Sequence, residues 1–146
     1  MNKKGFTLVE LIGVIVILAI LSLLAVRTYG NVMNNIAKKQ LEEKILTIEK
    51  AAMSYGQDNK GLLTGSCVID GETYSKCATV KVSDLISDNR IESDETDENT
   101  GQTVLINNVT KLNMNDDKVF IYRKNNRVYA TMDCSNFASN NGVCPQ

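Results

Sequence analysis

One acidic residue stands inside a long apolar segment near the start of the chain. Between Phe6 and Val26, Glu10 carries the only side-chain charge. A carboxylate close to hydrocarbon costs roughly 2.5–3.5 kcal/mol on membrane-insertion scales, so Glu10 needs a partner or a function. The chemistry it offers is neutralisation of a cation in apolar surroundings, where an unpaired charge of either sign is costly. The alternative is an isolated anchor whose Glu10 reaches the membrane interface.

Four cysteines form a second set of residues that could take part in chemistry, at positions 67, 77, 134 and 144. An even number in a small domain behind an export signal predicts two disulfides and an oxidising exterior. Short local loops favour Cys67–Cys77 and Cys134–Cys144, each contributing roughly 2–3 kcal/mol to stability. Three pairings remain open from the sequence, and buried thiols in a cytosolic domain are the alternative.

Carboxylates in the run from Asp94 to Glu98 are the only candidates for metal ligands. Asp94, Glu95, Asp97 and Glu98 could supply oxygen ligands to calcium, although their spacing matches no calcium motif and a solvated acidic loop is the alternative. The chain contains no His, the commonest general base. No Ser or Cys has an evident base partner, and no glycine-rich phosphate loop occurs. We therefore predict a protein that is not an enzyme and needs no cofactor, with calcium as the alternative.

The apolar segment determines how the chain is placed. As a helix at 1.5 Å per residue, residues 6–26 span about 31 Å, which is enough to cross a bilayer. The segment is too long for an ordinary secretory signal, and no small-residue cleavage site follows it. Lys3 and Lys4 precede it, so the positive-inside rule places the N-terminus in the cytoplasm and residues 27–146 outside.

The stretch KKGFTLVE, residues 3–10, resembles the prepilin signal of type IV pilins and pseudopilins. The resemblance implies that a prepilin peptidase cuts between Gly5 and Phe6, that Phe6 becomes N-methylated, and that Glu10 is the buried carboxylate used in assembly. It also implies a homo-oligomeric helical filament, with other or minor pilins and an inner-membrane assembly platform as partners. In many pilins a C-terminal disulfide corresponds to Cys134–Cys144. The predicted organisation is a leader (1–5), a membrane and assembly segment (6–26) and a globular domain (27–146).

Apolar periodicity predicts the fold class, α+β. Beyond Arg27, apolar residues recur mostly every three to five positions with charged residues between them, so one helix is expected from Phe6 to about Ser54, ended by Gly56 and the polar residues after it. We interpret residues 61–80 as a loop region with short extended pieces and an Asp70-Gly71 turn, followed by a short helix capped by Ser83 and ending near Asn89.

The last third of the chain is β in character. Strands are predicted at residues 103–108, 118–124 and 127–133, with a two-residue turn at Asn125-Asn126. Alternation places Val119, Ile121, Val128, Ala130 and Met132 toward the core. We expect three or four antiparallel strands packed against the amphipathic half of the helix, as in pilins.

The functional expectation is a structural subunit of a type IV pilus used in adhesion, motility or DNA uptake, moving from the cell membrane to a surface filament. The alternatives are a pseudopilin of a type II secretion or competence apparatus, and a signal-anchored extracytoplasmic binding domain. The net charge of −1 argues against a general nucleic-acid binder. Four cations lie near one hairpin: Lys118, Arg123, Lys124 and Arg127. They leave DNA binding as a possibility, with an ordinary solvated surface as the alternative.

Overall fold

A computed structural model describes residues 7–133, and only the backbone of residues 24–28. The first element is helix α1, Leu8–Asp58, which continues beyond the predicted end near Ser54. By its internal contacts the chain divides into two compact units, the first ending at Ile36 and the second beginning at Ala37. The α+β fold class is confirmed, since a long N-terminal helix is followed by a small antiparallel sheet.

The second unit contains the remaining elements. They are the 3₁₀ turn Lys60–Leu62, strands β1 (Gly65–Ile69) and β2 (Glu72–Lys81), helix α2 (Val82–Ser87), strands β3 (Glu95–Thr96) and β4 (Thr103–Val104), and strands β5 (Lys118–Lys124) and β6 (Arg127–Met132). Four strands form one antiparallel sheet in the order β1-β2-β5-β6, while β3 and β4 pair separately. The number of strands in the main sheet agrees with the prediction.

The core of this unit forms where the amphipathic part of α1 meets the sheet. Leu41, Ile45, Ile48 and Ala52 are buried, and their spacing of three or four residues places them on one side of the helix. They pack with side chains of the sheet, of α2 and of the loops: Leu63, Val80, Val82, Leu85, Leu105, Met114, Val119, Ile121, Val128 and Met132. Hydrophobic burial along one helical stripe therefore holds the unit together.

The β5–β6 hairpin agrees closely with its prediction. Asn125 and Asn126 form the turn with φ values of 50° and 65°, which asparagine tolerates better than most residues. Val119, Ile121, Val128 and Met132 are buried, and Ala130 is half-buried against the same core. The alternation of side chains therefore predicted the buried face of the hairpin correctly.

Three predictions for the preceding segments were wrong in part. Residues 61–80 contain a two-stranded hairpin with a register shift between Gly65 and Cys67, more extended structure than the short pieces predicted, and the turn at Asp70-Gly71 is present with positive φ at both residues. The strand predicted at residues 103–108 is only β4 plus an isolated bridge at Ile106. Helix α2 starts at Val82, and its first turn is closed by Asp84, whose Oδ2 accepts from the Lys81 N–H at 3.0 Å, instead of by Ser83.

Gly56 has a different role from the predicted one. It lies inside α1, at a close approach between the helix and the sheet. A Cβ atom added there would overlap Ile121 Cγ2 and lie 3.1 Å from Val128 Cγ1. The absence of a side chain at Gly56 therefore lets the helix contact β5 and β6 directly.

Gly56→Ala is expected to lower the free energy of unfolding. Overpacking a well-filled core costs about 1–3 kcal/mol, and the better helix propensity of Ala recovers about 1 kcal/mol of this. Urea unfolding of the full chain in detergent measures the change. The matched control is Gly61→Ala, where the added atom meets nothing within 4 Å. Equal stability of the two variants would show that the sheet shifts without cost.

Candidate assembly site

The carboxylate of Glu10 is held by the residue that precedes α1. Its Oε2 accepts hydrogen bonds from the Thr7 N–H at 2.9 Å and the Thr7 hydroxyl at 2.8 Å. Thr7 Oγ1 in turn lies 3.4 Å from the Glu10 backbone N–H, which donates to it. Thr7 is thus the N-cap of the helix and Glu10 its third residue, so the two form a reciprocal capping box.

This contact was not predicted, although the sequence contains a signal for it. A Thr followed three residues later by Glu, just before an apolar run, marks a helix N-terminus. Glu10 therefore has a local partner in the single chain, and its carboxylate satisfies one backbone donor at the start of the helix, the Thr7 N–H. Gly5 and Phe6, the predicted processing site, lie outside the described residues.

An apolar surface follows Glu10 along the first unit. Its large side chains are 46–76% exposed: Leu8, Val9, Leu11, Ile12, Val14, Ile15, Val16, Ile17, Leu18, Ile20, Leu21 and Leu23. Contiguous exposed apolar surface of this extent marks a region that contacts lipid or another protein chain. No helix within the described part of the chain reaches the combined length and hydropathy of a membrane span.

The acidic run is largely exposed, and its carboxylates have different surroundings. Asp94 forms an ion pair with Lys44 Nζ at 2.6 Å and accepts from the Ile106 N–H at 2.7 Å. Asp97 accepts from two backbone N–H groups of its own turn, those of Asn99 and Thr100. Glu95 and Glu98 extend from the surface. Within residues 7–133 no group of three acidic or cysteine side chains is arranged to hold a metal ion, and calcium binding stays a prediction.

The Lys44–Asp94 pair is expected to stabilise the fold only above acidic pH. Burial alone would raise the pKa of Asp94, but hydrogen bonds from Lys44 and Ile106 and the charge of Lys44 lower it below its ordinary value of 3.8. A lowered pKa contributes stability above the ordinary value, and this contribution is lost as the pH falls through the folded-state pKa. Asp94→Asn keeps a carbonyl acceptor for Ile106 but removes the charge.

We therefore expect Asp94→Asn to be less stable than the wild type at pH 7, with a difference that shrinks as the pH falls below 3.8. Urea unfolding across this pH range measures the change. Glu98→Gln, at an exposed carboxylate without an ion pair within residues 7–133, is the control and should have nearly wild-type stability at pH 7. A constant difference for Asp94→Asn at all pH values would assign its effect to packing instead of charge.

The first predicted disulfide is present, whereas the second pair of cysteines lies outside the described residues. Cys67 and Cys77 are joined between β1 and β2, with their Cα atoms 5.8 Å apart. Cys77 is buried, and its cross-strand partner on β5 is Tyr122. Cys134 and Cys144 are not described, so their pairing stays a prediction.

The four cations near the β5–β6 hairpin do not form one cluster. Lys118 and Lys124 are at opposite ends of β5, about 20 Å apart at the rise of a strand. Lys124 Nζ lies 3.0 Å from Glu72 Oε2, and hydrogen bonds with Glu72 and then Tyr74 raise the pKa of Lys124. Arg123 points to the other face of the strand. The hairpin therefore does not present the continuous basic patch considered from the sequence.

One long helix defines a pilin-like class of subunit: its first part is apolar and exposed with a carboxylate in the first turn, and its amphipathic second part packs on a four-stranded antiparallel sheet. The model of the prokaryotic N-terminal methylation motif matches residues 1–26, a range that includes Gly5, Phe6 and Glu10. Over 76 residues the chain is 30% identical to the ComG operon protein 3 homolog of Bacillus licheniformis, covering 52% of this chain and 78% of that protein.

The chain belongs to the type IV pilin and pseudopilin family, which confirms the resemblance found in its first residues. Members of this family are structural subunits that undergo N-terminal processing and assemble with other pilins. No solved structure matches the chain.

Proposed function

We propose that the chain is a structural subunit of a type IV pilus, cut by prepilin peptidase after Gly5, N-methylated at Phe6 and polymerised into a surface filament. The observation that carries the proposal is the exposed apolar helix that begins at Leu8 with Glu10 in its first turn, in a chain whose residues 1–26 match the methylation motif. The filament would serve adhesion, motility or DNA uptake.

In this proposal, the role of Glu10 is charge neutralisation. Cleavage after Gly5 produces an amino-terminal cation on Phe6, and N-methylation preserves that positive charge. Packing apolar helices together would move this cation from water into apolar surroundings. An unpaired charge is strongly unfavourable there. Glu10 of a neighbouring subunit supplies the opposite charge and, because only one alignment pairs the two groups, it sets the register between subunits.

Two environments cover the apolar surface in this proposal. Before assembly, lipid surrounds it, with Lys3 and Lys4 on the cytoplasmic side. After assembly, the apolar helices of other subunits surround it, so burial is retained when the subunit leaves the membrane. An inner-membrane assembly platform transfers the subunit between these states, and minor pilins are further partners. The proposal includes no catalytic residue and no cofactor.

A pseudopilin of a type II secretion or competence apparatus is the second candidate. The similarity to the ComG operon protein 3 homolog favours it. The two candidates share processing and assembly and differ in the length and place of the filament. Long filaments labelled along their length on intact cells would support the pilus, whereas short filaments confined to the envelope would support the pseudopilin.

Mass spectrometry tests processing. The protein is isolated from membranes and from sheared surface material and is analysed both intact and after digestion. The proposal expects a chain that begins with N-methylated Phe6 in the surface fraction. Retention of residues 1–5 in both fractions would contradict it and would indicate a signal-anchored extracytoplasmic domain instead.

A further inference from the structure

A basic groove lies in the second unit beside the end of α1. We define it by Lys60, Arg123 and Arg127, which line a depression of about 610 Å³ together with Gln57 and Asn126. None of the three cations forms an ion pair within the described chain. The Nε of Arg123 is buried and has no hydrogen-bond acceptor among the described residues. A buried donor without an acceptor is unfavourable, so the groove is suited to an anionic group from beyond the described residues.

The same unit has unpaired negative charge elsewhere. We call residues 92–98 the acidic segment. Glu92, Glu95 and Glu98 are exposed in it and form no ion pair within residues 7–133. Lys44 and backbone N–H groups already engage Asp94 and Asp97. Three carboxylates therefore remain available to an external cation.

The basic groove and the acidic segment lie on opposite sides of α1. Lys44 contacts the acidic segment through Asp94, whereas Met53 lines the basic groove. These two helical residues are nine positions apart, which is two and a half turns at 3.6 residues per turn, so their side chains leave the helix in opposite directions. The two charged surfaces consequently do not meet within one subunit.

We propose that the basic groove binds the acidic segment of a second copy of this chain. The inference rests on the proposed function, since it describes one contact between subunits of the same filament. A surface that binds a different surface of an identical chain makes a heterologous contact, and such contacts repeat into rings or open helices. Charge complementarity would fix the register of the contact and make assembly sensitive to salt.

Charge reversal in the full chain, expressed with its assembly machinery, tests the proposal. Lys60→Glu/Arg127→Glu reverses two exposed cations of the groove, and Glu95→Lys/Glu98→Lys reverses two exposed carboxylates of the segment. Each pair alone is expected to reduce filament yield by about tenfold or more, because like charges then face each other. All four substitutions in one chain should restore the yield to within about twofold of wild type, because opposite charges again meet.

The matched control is Lys39→Glu/Lys76→Glu, which changes the net charge equally at exposed lysines outside the groove and should assemble like the wild type. Thermal unfolding of each full-length variant in detergent verifies that the fold is retained. Wild-type yield from the groove variant, or no recovery in the combined variant, would overturn the inference. A groove variant that assembles normally but no longer binds DNA would also overturn the inference. If wild-type protein itself forms no filaments, the proposed function fails instead.

Discussion

Glu10→Gln is expected to leave the start of α1 intact and to abolish filament assembly. The amide oxygen of the substituted side chain can still accept from the Thr7 N–H, since glutamine also serves in capping boxes. The amide cannot neutralise the amino-terminal cation of Phe6 on a neighbouring subunit. Leaving one partner of a buried ion pair uncompensated costs about 3–5 kcal/mol, which lowers the assembly constant by about two to four orders of magnitude.

Quantifying the protein in sheared surface material and in membranes measures this effect, and mass spectrometry verifies that Phe6 is still processed. Thr7→Val is the matched control, because it removes the hydroxyl of the cap and preserves the carboxylate. It should cost only about 1 kcal/mol of helix stability and still assemble. Normal assembly by Glu10→Gln would show that the charge of Glu10 is unnecessary and that its role ends with the capping box.

Removing the Cys67–Cys77 disulfide is expected to cause the largest loss of stability. The bond joins residues ten positions apart in the sequence. Closing a loop of this length stabilises a fold by roughly 2–3 kcal/mol, mainly by restricting the unfolded chain. Cys67→Ser/Cys77→Ser should therefore unfold at a correspondingly lower urea concentration, and the additional polarity at buried Cys77 adds to the loss.

Equilibrium unfolding of the full chain with and without reductant provides the comparison. Reductant should destabilise the wild type by at least as much as the double substitution does, and it should affect the double variant less. If the Ser variant matched the oxidised wild type, the β1–β2 hairpin would owe its stability to packing and backbone pairing, and the bond would contribute nothing measurable.

Local patterns were sufficient for some elements of the fold. The β5–β6 hairpin was predicted with nearly the observed bounds because alternating Val and Ile positions flank two asparagines that adopt positive φ. Both the turn type and the inward face are properties of adjacent residues. The stripe from Leu41 to Ala52 was predictable for the same reason, since helical periodicity alone identifies the side that becomes buried.

Other features depend on partners that are distant in the sequence. Strand β2 contains Lys, Ser and Thr among few apolar residues, and it becomes a central strand only because β5 pairs with it. From the sequence, Gly56 is expected to end the helix. Its observed role depends on Ile121 and Val128, which are distant in the sequence and occupy the space beside it. The basic groove likewise combines residues from the 3₁₀ turn and the β5–β6 hairpin, which the sequence separates by more than sixty positions.

The capping box has a consequence for how quickly subunits join and separate. Both hydrogen bonds from Thr7 reach Oε2, while Oε1 of Glu10 accepts none within the described residues. In the proposed pairing, an incoming amine can therefore approach Oε1 without displacing Thr7. Docking then breaks neither hydrogen bond between Thr7 and Glu10, and after departure the carboxylate still accepts both bonds from its own chain. In the proposed filament, a subunit that leaves would therefore keep its capping box and be ready to join again.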